Sequence, residues 1–229
     1  MRNKRIIGFD ADDTLWENEV FFHQAQMKFM ELHPHIKDPE EAIFQIEKEN
    51  IKFYGYGIKG FVLSLLEASV RFSNNQPDLQ NIAKIIKIGK DMLAQPIRLL
   101  PKVKNTLRRL SEHYTLIMIT KGDLLDQQKK VRRSGLLKYF RSIEIVSEKN
   151  EQTYLEILKK NNISPEDFLM VGNSLKSDIL PVTKIGGTGI YIPHKFTWRY
   201  EELDGTCDLD RFVELKTISG LKVWLENKI

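Results

Sequence analysis

The stretch IIGFDADDTLW, Ile6 to Trp16, decides the reading of this chain. A short, largely apolar run leads directly into Asp10, Asp12 and Asp13. The run predicts a buried strand, yet carboxylates clustered at its end repel one another and resist burial. A cation, a phosphate reaction or an acidic turn open to water would each sustain that crowding.

Composition narrows the choice. With 229 residues the chain has room for one or two domains. Its 41% hydrophobic and 29% charged residues are ordinary globular composition, and a net charge of +4 spread through mixed-sign segments is mild. The cluster Lys129, Lys130, Arg132 and Arg133 reads as the solvated face of a helix. With no basic stripe interleaved with aromatics, no nucleic-acid partner is expected. The lone cysteine, Cys207, excludes an internal disulfide framework and a cysteine-rich zinc site, and it reads as incidental. The apolar run after MRNKR is too short for a secretory signal, and no segment approaches the ~18 apolar residues of a membrane span. A cytoplasmic protein without membrane contact, monomer or homodimer, is the expectation.

The text changes character twice along the chain. From about Glu17 to Gln95 it is helical throughout. FFHQAQMKFMEL has apolar residues at helical spacing; Asp38-Pro39-Glu40-Glu41 is a helix start with Asp as cap and Pro at the first position. Gly55 and Gly57 end that helix, FVLSLLEASV opens another, and Asp78 to Leu93 supplies one more. His33 and His35, flanking Pro34 at a helix end, read as structural. After Leu100-Pro101, helices alternate with the apolar segments YTLIMIT, SIEIV, FLMVG and GTGIYI. That rhythm predicts an α/β fold with a Rossmann-like parallel sheet covered on both faces. The expected division is a core of residues 1–16 and 98–229 and a helical domain of residues 17–97 inserted after the first strand.

In such sheets ligands bind beyond the carboxyl ends of the strands. Those ends carry Asp10 and Asp12; Thr120 and Lys121; Lys149, after Ser147 and Glu148; and Asn173, with Asp178 in the following turn. Each has an ordinary structural use, as turn residue, helix cap or solvated lysine. Their convergence on one edge of one sheet favours phosphoryl transfer through an aspartyl-phosphate. A divalent cation would neutralise the repulsion between the attacking carboxylate and the phosphate, and Mg²⁺ suits an inventory of hard oxygen ligands. Alternate residues of an extended strand point the same way, so Asp10 and Asp12 can face one pocket. One would attack phosphorus while the other protonates the departing oxygen. Thr120 and Lys149 would hold the phosphoryl oxygens; Lys121 also follows a strand end and is the alternative lysine.

FDADDTL resembles the DxDxT first motif of the haloacid dehalogenase-like (HAD) hydrolase superfamily. IMIT ending at Thr120, the lysine at 149 and VGNSLKSDI resemble the second, third and fourth motifs, in the required order. The resemblance spans nearly the whole chain. It implies Asp10 as nucleophile, Asp12 as general acid and then base, and Thr120 with Lys149 as phosphoryl ligands. It further implies Mg²⁺ held by Asp10, the backbone carbonyl of Asp12, Asn173 and Asp178. The helical insert matches the family's C1 cap, which closes over the site and shapes substrate choice. One position departs from the pattern: the fourth motif most often begins with Asp, and here Asn173 brings an amide oxygen without charge. Asp13, where relatives often have glycine, reads as a turn residue, and Trp16 as packing. HKFTWRYE, His194 to Glu201, resembles a stretch that follows the last core strand in some members and carries no assigned chemistry.

The resulting expectation is a Mg²⁺-dependent phosphatase acting on a small phosphorylated metabolite. Asp12 argues against a dehalogenase, which needs no acid for a halide. A phosphomutase on the same fold stays open. A non-catalytic binding protein has only Asn173 in its favour.

Overall fold

A computed structural model describes residues 6–202 and 212–227; Cys207 lies outside the described residues. The chain divides into two compact units. One, the sheet unit, comprises Met1–Glu17, Ile97–Lys121 and Gln127–Ile229; the other, the helical unit, comprises Asn18–Pro96 and Gly122–Asp126.

The sheet unit is built on parallel strands β1 (Ile6–Phe9), β2 (Thr115–Lys121), β3 (Ser142–Val146), β4 (Phe168–Gly172), β5 (Thr188–Tyr191) and β6 (Phe212–Glu214). Their order is β3-β2-β1-β4-β5-β6. Strand alternation sorts the core into two layers. Ile7, Phe9, Leu116 and Met118 face a cluster with Val103, Leu107 and Leu110 from α5 (Val103–Ser111) and Leu221 and Leu225 from α9 (Gly220–Glu226). Ile6, Ile117 and Ile119 face the opposite cluster, with Tyr154, Ile157 and Leu158 from α7 (Glu151–Lys160) and Val182 from α8 (Leu180–Lys184). Two buried faces explain why these strands read as continuous apolar runs. Gly8 is required by packing, since a Cβ there would stand 2.6 Å from the Phe168 ring.

β1 is central, with β2 on one side and β4 on the other. The strand order reverses direction at this point, and a crevice opens between the carboxyl ends of the neighbouring strands. Asp10 leaves β1 at that crevice and Asn173 leaves β4. The ladder runs one bond past β1, with the Asp10 N–H donating to Val171 O at 2.9 Å.

The helical unit packs α1 (Glu19–Leu32), α2 (Pro39–Tyr54), α3 (Ile58–Phe72) and α4 (Leu79–Ala94) around Phe29, Ile43, Ile46, Phe61, Leu65, Ile85 and Met92. Asp38 caps α2 by accepting from the Glu41 N–H, and Asp78 caps α4 by accepting from the Gln80 N–H. α6 (Leu124–Ser134) begins in this unit, and Asp123 accepts from the Asp126 N–H at 3.0 Å. His33 is buried against the Phe29 ring at the end of α1. Among the described residues no helix is long and apolar enough to cross a membrane.

Two features depart from the sequence expectation. The helix expected between FLMVG and GTGIYI opens as a wide π-turn, Leu175–Ile179, before α8. β6 is a strand that three residues of weak pattern did not announce.

Candidate active site

The loop after β1 is wound tightly. Asp13 takes a left-handed conformation (φ 59°) and its N–H donates to Trp16 O at 2.7 Å; the Leu15 N–H donates to Ala11 O at 2.8 Å. This turns the three aspartates in different directions. Asp10 points into the crevice, only 6% exposed. Asp12 accepts from Trp16 Nε1 at 2.6 Å, Gln127 Nε2 at 2.7 Å and Lys130 Nζ at 3.1 Å. Asp13 lies with its Oδ1 3.5 Å from His194 Nδ1.

Lys149 reaches Asp10 from beyond β3. Its Nζ donates to Asp10 Oδ1 at 2.5 Å and to Asp178 Oδ1 at 2.7 Å, and all three residues are buried. Burial opposes the ammonium, but the two flanking carboxylates outweigh it and hold Lys149 well above its usual range. Burial pushes the Asp10 carboxyl up to about 7, with Lys149 opposing and Asp178 adding to the rise. The trio thus carries two acids for one base in a nearly dry place. That imbalance favours a further positive charge, whether a proton or a metal ion.

Asp178 reaches the trio because of Gly172. A Cβ at that position would overlap the Asp178 carboxylate, which also accepts from the Ser174 N–H at 3.0 Å. The π-turn that displaced the expected helix start brings this carboxylate back toward β4.

Asn173 supplies a test of metal fit. One terminal atom of its amide stands 3.1 Å from each of Asp12 O, Asp10 Oδ2 and Thr14 Oγ1. With nitrogen in that place the amide donates to all three, which satisfies the site without metal. With oxygen there, it joins two other oxygens at nearly the edge length of an octahedron, about 3.0 Å for Mg–O bonds of about 2.1 Å. Among the described residues no group of three or more His, Cys, Asp or Glu side chains could hold a metal ion. The donor set that fits is therefore mixed: a carboxylate, an amide oxygen and a backbone carbonyl.

Thr120, at the end of β2, is fully buried and its hydroxyl has no hydrogen-bond partner among the described residues. An orphaned buried donor calls for an acceptor that arrives with a ligand. Lys121, the next residue, is engaged elsewhere: its Nζ donates to Glu201 Oε1 at 2.5 Å and Ser177 Oγ at 3.2 Å, with Glu148 Oε1 at 3.4 Å. Of the two lysines considered from sequence, Lys149 is the one that touches Asp10.

Four residues at this site carried no functional reading in the sequence. Trp16, fully buried as packing requires, also donates to Asp12. Lys130, read as part of a solvated helix face, turns its ammonium to Asp12 instead, and Gln127 joins it one helical turn earlier. Glu201 binds Lys121 and the hydroxyls of Ser174 and Ser177.

Comparison with known proteins places this geometry in a family. The haloacid dehalogenase-like hydrolase pattern matches residues 4–186. A glyceraldehyde 3-phosphate phosphatase of Pyrococcus furiosus is 28% identical over 217 residues, covering 89% of this chain and 85% of that protein. A protein of the same name from Methanothermobacter thermautotrophicus is 27% identical over 202 residues, covering 84% and 87%. The crystal structure of a haloacid dehalogenase-like family hydrolase from Xanthomonas campestris superposes with a TM-score of 0.88 at 34% identity, covering 97% of this chain and 91% of that one. The chain belongs to the haloacid dehalogenase-like hydrolases.

Proposed function

We propose that this protein hydrolyses a small phosphorylated metabolite through an aspartyl-phosphate on Asp10, with Mg²⁺ as its cofactor. The observation that carries the reading is the buried trio of Asp10, Lys149 and Asp178, with a buried Thr120 hydroxyl that has no partner among the described residues. A carboxylate, an ammonium and a spare donor at one point suit a phosphoryl group being attacked.

Mg²⁺, held by Asp10, the Asp12 carbonyl, Asn173 and Asp178, would supply the positive charge that lets a carboxylate approach a phosphate. Asp10 attacks phosphorus as the bond to the leaving oxygen breaks, and Asp12 delivers a proton to that oxygen. Asp12 then takes a proton from water, whose oxygen attacks phosphorus and frees Asp10. Lys149 and Thr120 hold the phosphoryl oxygens throughout. Trp16, Gln127 and Lys130 keep the Asp12 carboxylate positioned between its two proton transfers. The helical unit acts as a cap that selects the substrate. The relatives named above make a three-carbon aldehyde phosphate the first compound to test.

A phosphate-release screen over a metabolite panel with Mg²⁺, run beside Asp10→Asn, tests this. Wild type should turn over at least one member, and the variant should lose at least about a thousandfold. A silent wild type, or a variant that matches it, would remove the mechanism.

A further inference from the structure

Residues 194–201 follow β5, and within the sheet unit they contact the surroundings of several site residues. His194 Nδ1 stands 3.5 Å from Asp13, the neighbour of Asp12. Lys176, inside the π-turn, donates to Tyr200 O at 2.6 Å and lies 4.1 Å from the Tyr200 ring centroid. Tyr200 in turn lies 5.0 Å from Trp198, ring to ring. Next in the chain, Glu201 turns inward with only 12% of its side chain exposed.

Among the described residues, the Glu201 carboxylate has three donors. They are Lys121 Nζ at 2.5 Å, Ser174 Oγ at 2.6 Å and the Ser177 hydroxyl. Each donor is next in sequence to a residue of the site: Lys121 to Thr120, Ser174 to Asn173, Ser177 to Asp178. The connection continues inward, since the Ser174 N–H donates to Asp178, which accepts from Lys149, which donates to Asp10. The Ser174 hydroxyl also accepts from the Ser177 N–H at 3.0 Å, closing the turn. Burial alone would push the Glu201 carboxyl up, but Lys121 and the two serine hydroxyls outweigh it and hold the group below its usual range. Glu201 is therefore an anion fixed at the centre of three donors.

We propose that residues 194–201 form a strap over the strand ends and that Glu201 is its positioning residue. It sets the 173–178 turn so that Asn173 and Asp178 present their oxygens to the metal and to Lys149. Glu201 touches neither substrate nor reacting atoms; it acts through Ser174, Ser177 and Lys121. The proposal rests on the phosphatase reading above. An ion pair that only fastened the strap would need one partner, whereas this carboxylate draws donors from two strand-end segments. Groups that orient metal ligands from behind alter metal affinity or activity by about 10- to 100-fold when removed.

The test uses the full chain as Glu201→Ala, Glu201→Gln and Ser174→Ala. Mg²⁺ alone is titrated by calorimetry, kcat and KM are measured on a chromogenic aryl phosphate, and melting is followed by circular dichroism. Glu201→Ala should weaken Mg²⁺ binding by about tenfold and lower kcat more than it raises KM. Glu201→Gln, which keeps an acceptor for the serine hydroxyls but loses the charge opposite Lys121, should fall between it and wild type. Ser174→Ala should shift Mg²⁺ binding in the same direction, and it decides the matter should Glu201→Ala fail to fold. Variants that bind Mg²⁺ and turn over like wild type, with only the melting temperature lowered, would reduce Glu201 to an ordinary structural anchor. A wild type that neither binds Mg²⁺ nor releases phosphate would instead overturn the phosphatase reading, and the strap's role with it.

Discussion

The two units handle charge in opposite ways. In the sheet unit, Asp10, Lys149 and Asp178 sit within hydrogen-bond distance of one another and nearly out of water. In the helical unit, Glu47 and Asn50 are buried beside the apolar cluster, but the ion pairs of Arg71 with Glu49 and Glu67 lie toward the surface, the Arg71 side chain 46% exposed. Coulomb's law is the same in both places, but water screens one arrangement and not the other. Charges near the crevice are therefore strongly coupled, and the exposed pairs around Arg71 are largely screened. The difference separates a region built for stability from one that holds unfavourable charge for a purpose.

Removing one partner from each arrangement puts that contrast to measurement. Lys149→Met leaves two buried carboxylates without their cation and should cost about 3–5 kcal/mol. Urea unfolding at alkaline pH without Mg²⁺ would show it, with partial recovery on adding Mg²⁺. A loss under about 1 kcal/mol would mean that the trio is better hydrated than its burial indicates.

The next effect is on proton linkage. In the metal-free protein the folded Asp10 carboxyl is raised to about 7. Between the unfolded value, about 4, and that point the folded state holds a proton that the unfolded state has lost, so this contribution to stability is lost as pH rises through the window. Mg²⁺ at the same carboxylate must displace the proton. Calorimetry in buffers of different ionisation heat should record release of roughly one proton per Mg²⁺ near pH 6 and almost none near pH 8. Release that does not vary with pH would separate Asp10 from metal binding.

The smallest effect belongs to the helical unit. Arg71→Ala should change stability by less than about 1 kcal/mol, and the loss should shrink further in high salt. A cost comparable to that of Lys149→Met would erase the distinction drawn between the units.

Much of this arrangement was legible in the residues alone. The strands SIEIV and FLMVG fall where their apolar runs predict, because burial on both faces leaves a strong and local signal. Asp10, Lys149 and Asn173 lie beyond strand ends and Thr120 is the penultimate residue of β2, at the carboxyl edge where the parallel topology puts ligands. What was not legible depends on contacts distant in sequence. Lys130 belongs to a basic run that looks solvated, and only the fold brings it to Asp12. The indole N–H of Trp16 has no signature distinct from packing. Glu201 is one acid among many until the chain returns from β5 to Ser174 and Ser177. The π-turn escaped notice because the contact it makes, a carboxylate seated against Gly172, is tertiary.

The central position of β1 also bears on how the protein is made. β1 is synthesised well before its partners, residues 115–118 and 168–171. The helical unit's α1 to α4 are complete well before either partner strand leaves the ribosome. The strand that leads into Asp10 thus waits for both partners until residue 171 has been made. Closing such distant pairings is slow, and an unpaired apolar strand invites association with other chains. An early start for the helices shortens the interval in which the rest of the chain is unstructured, and the sheet assembles around its oldest strand last.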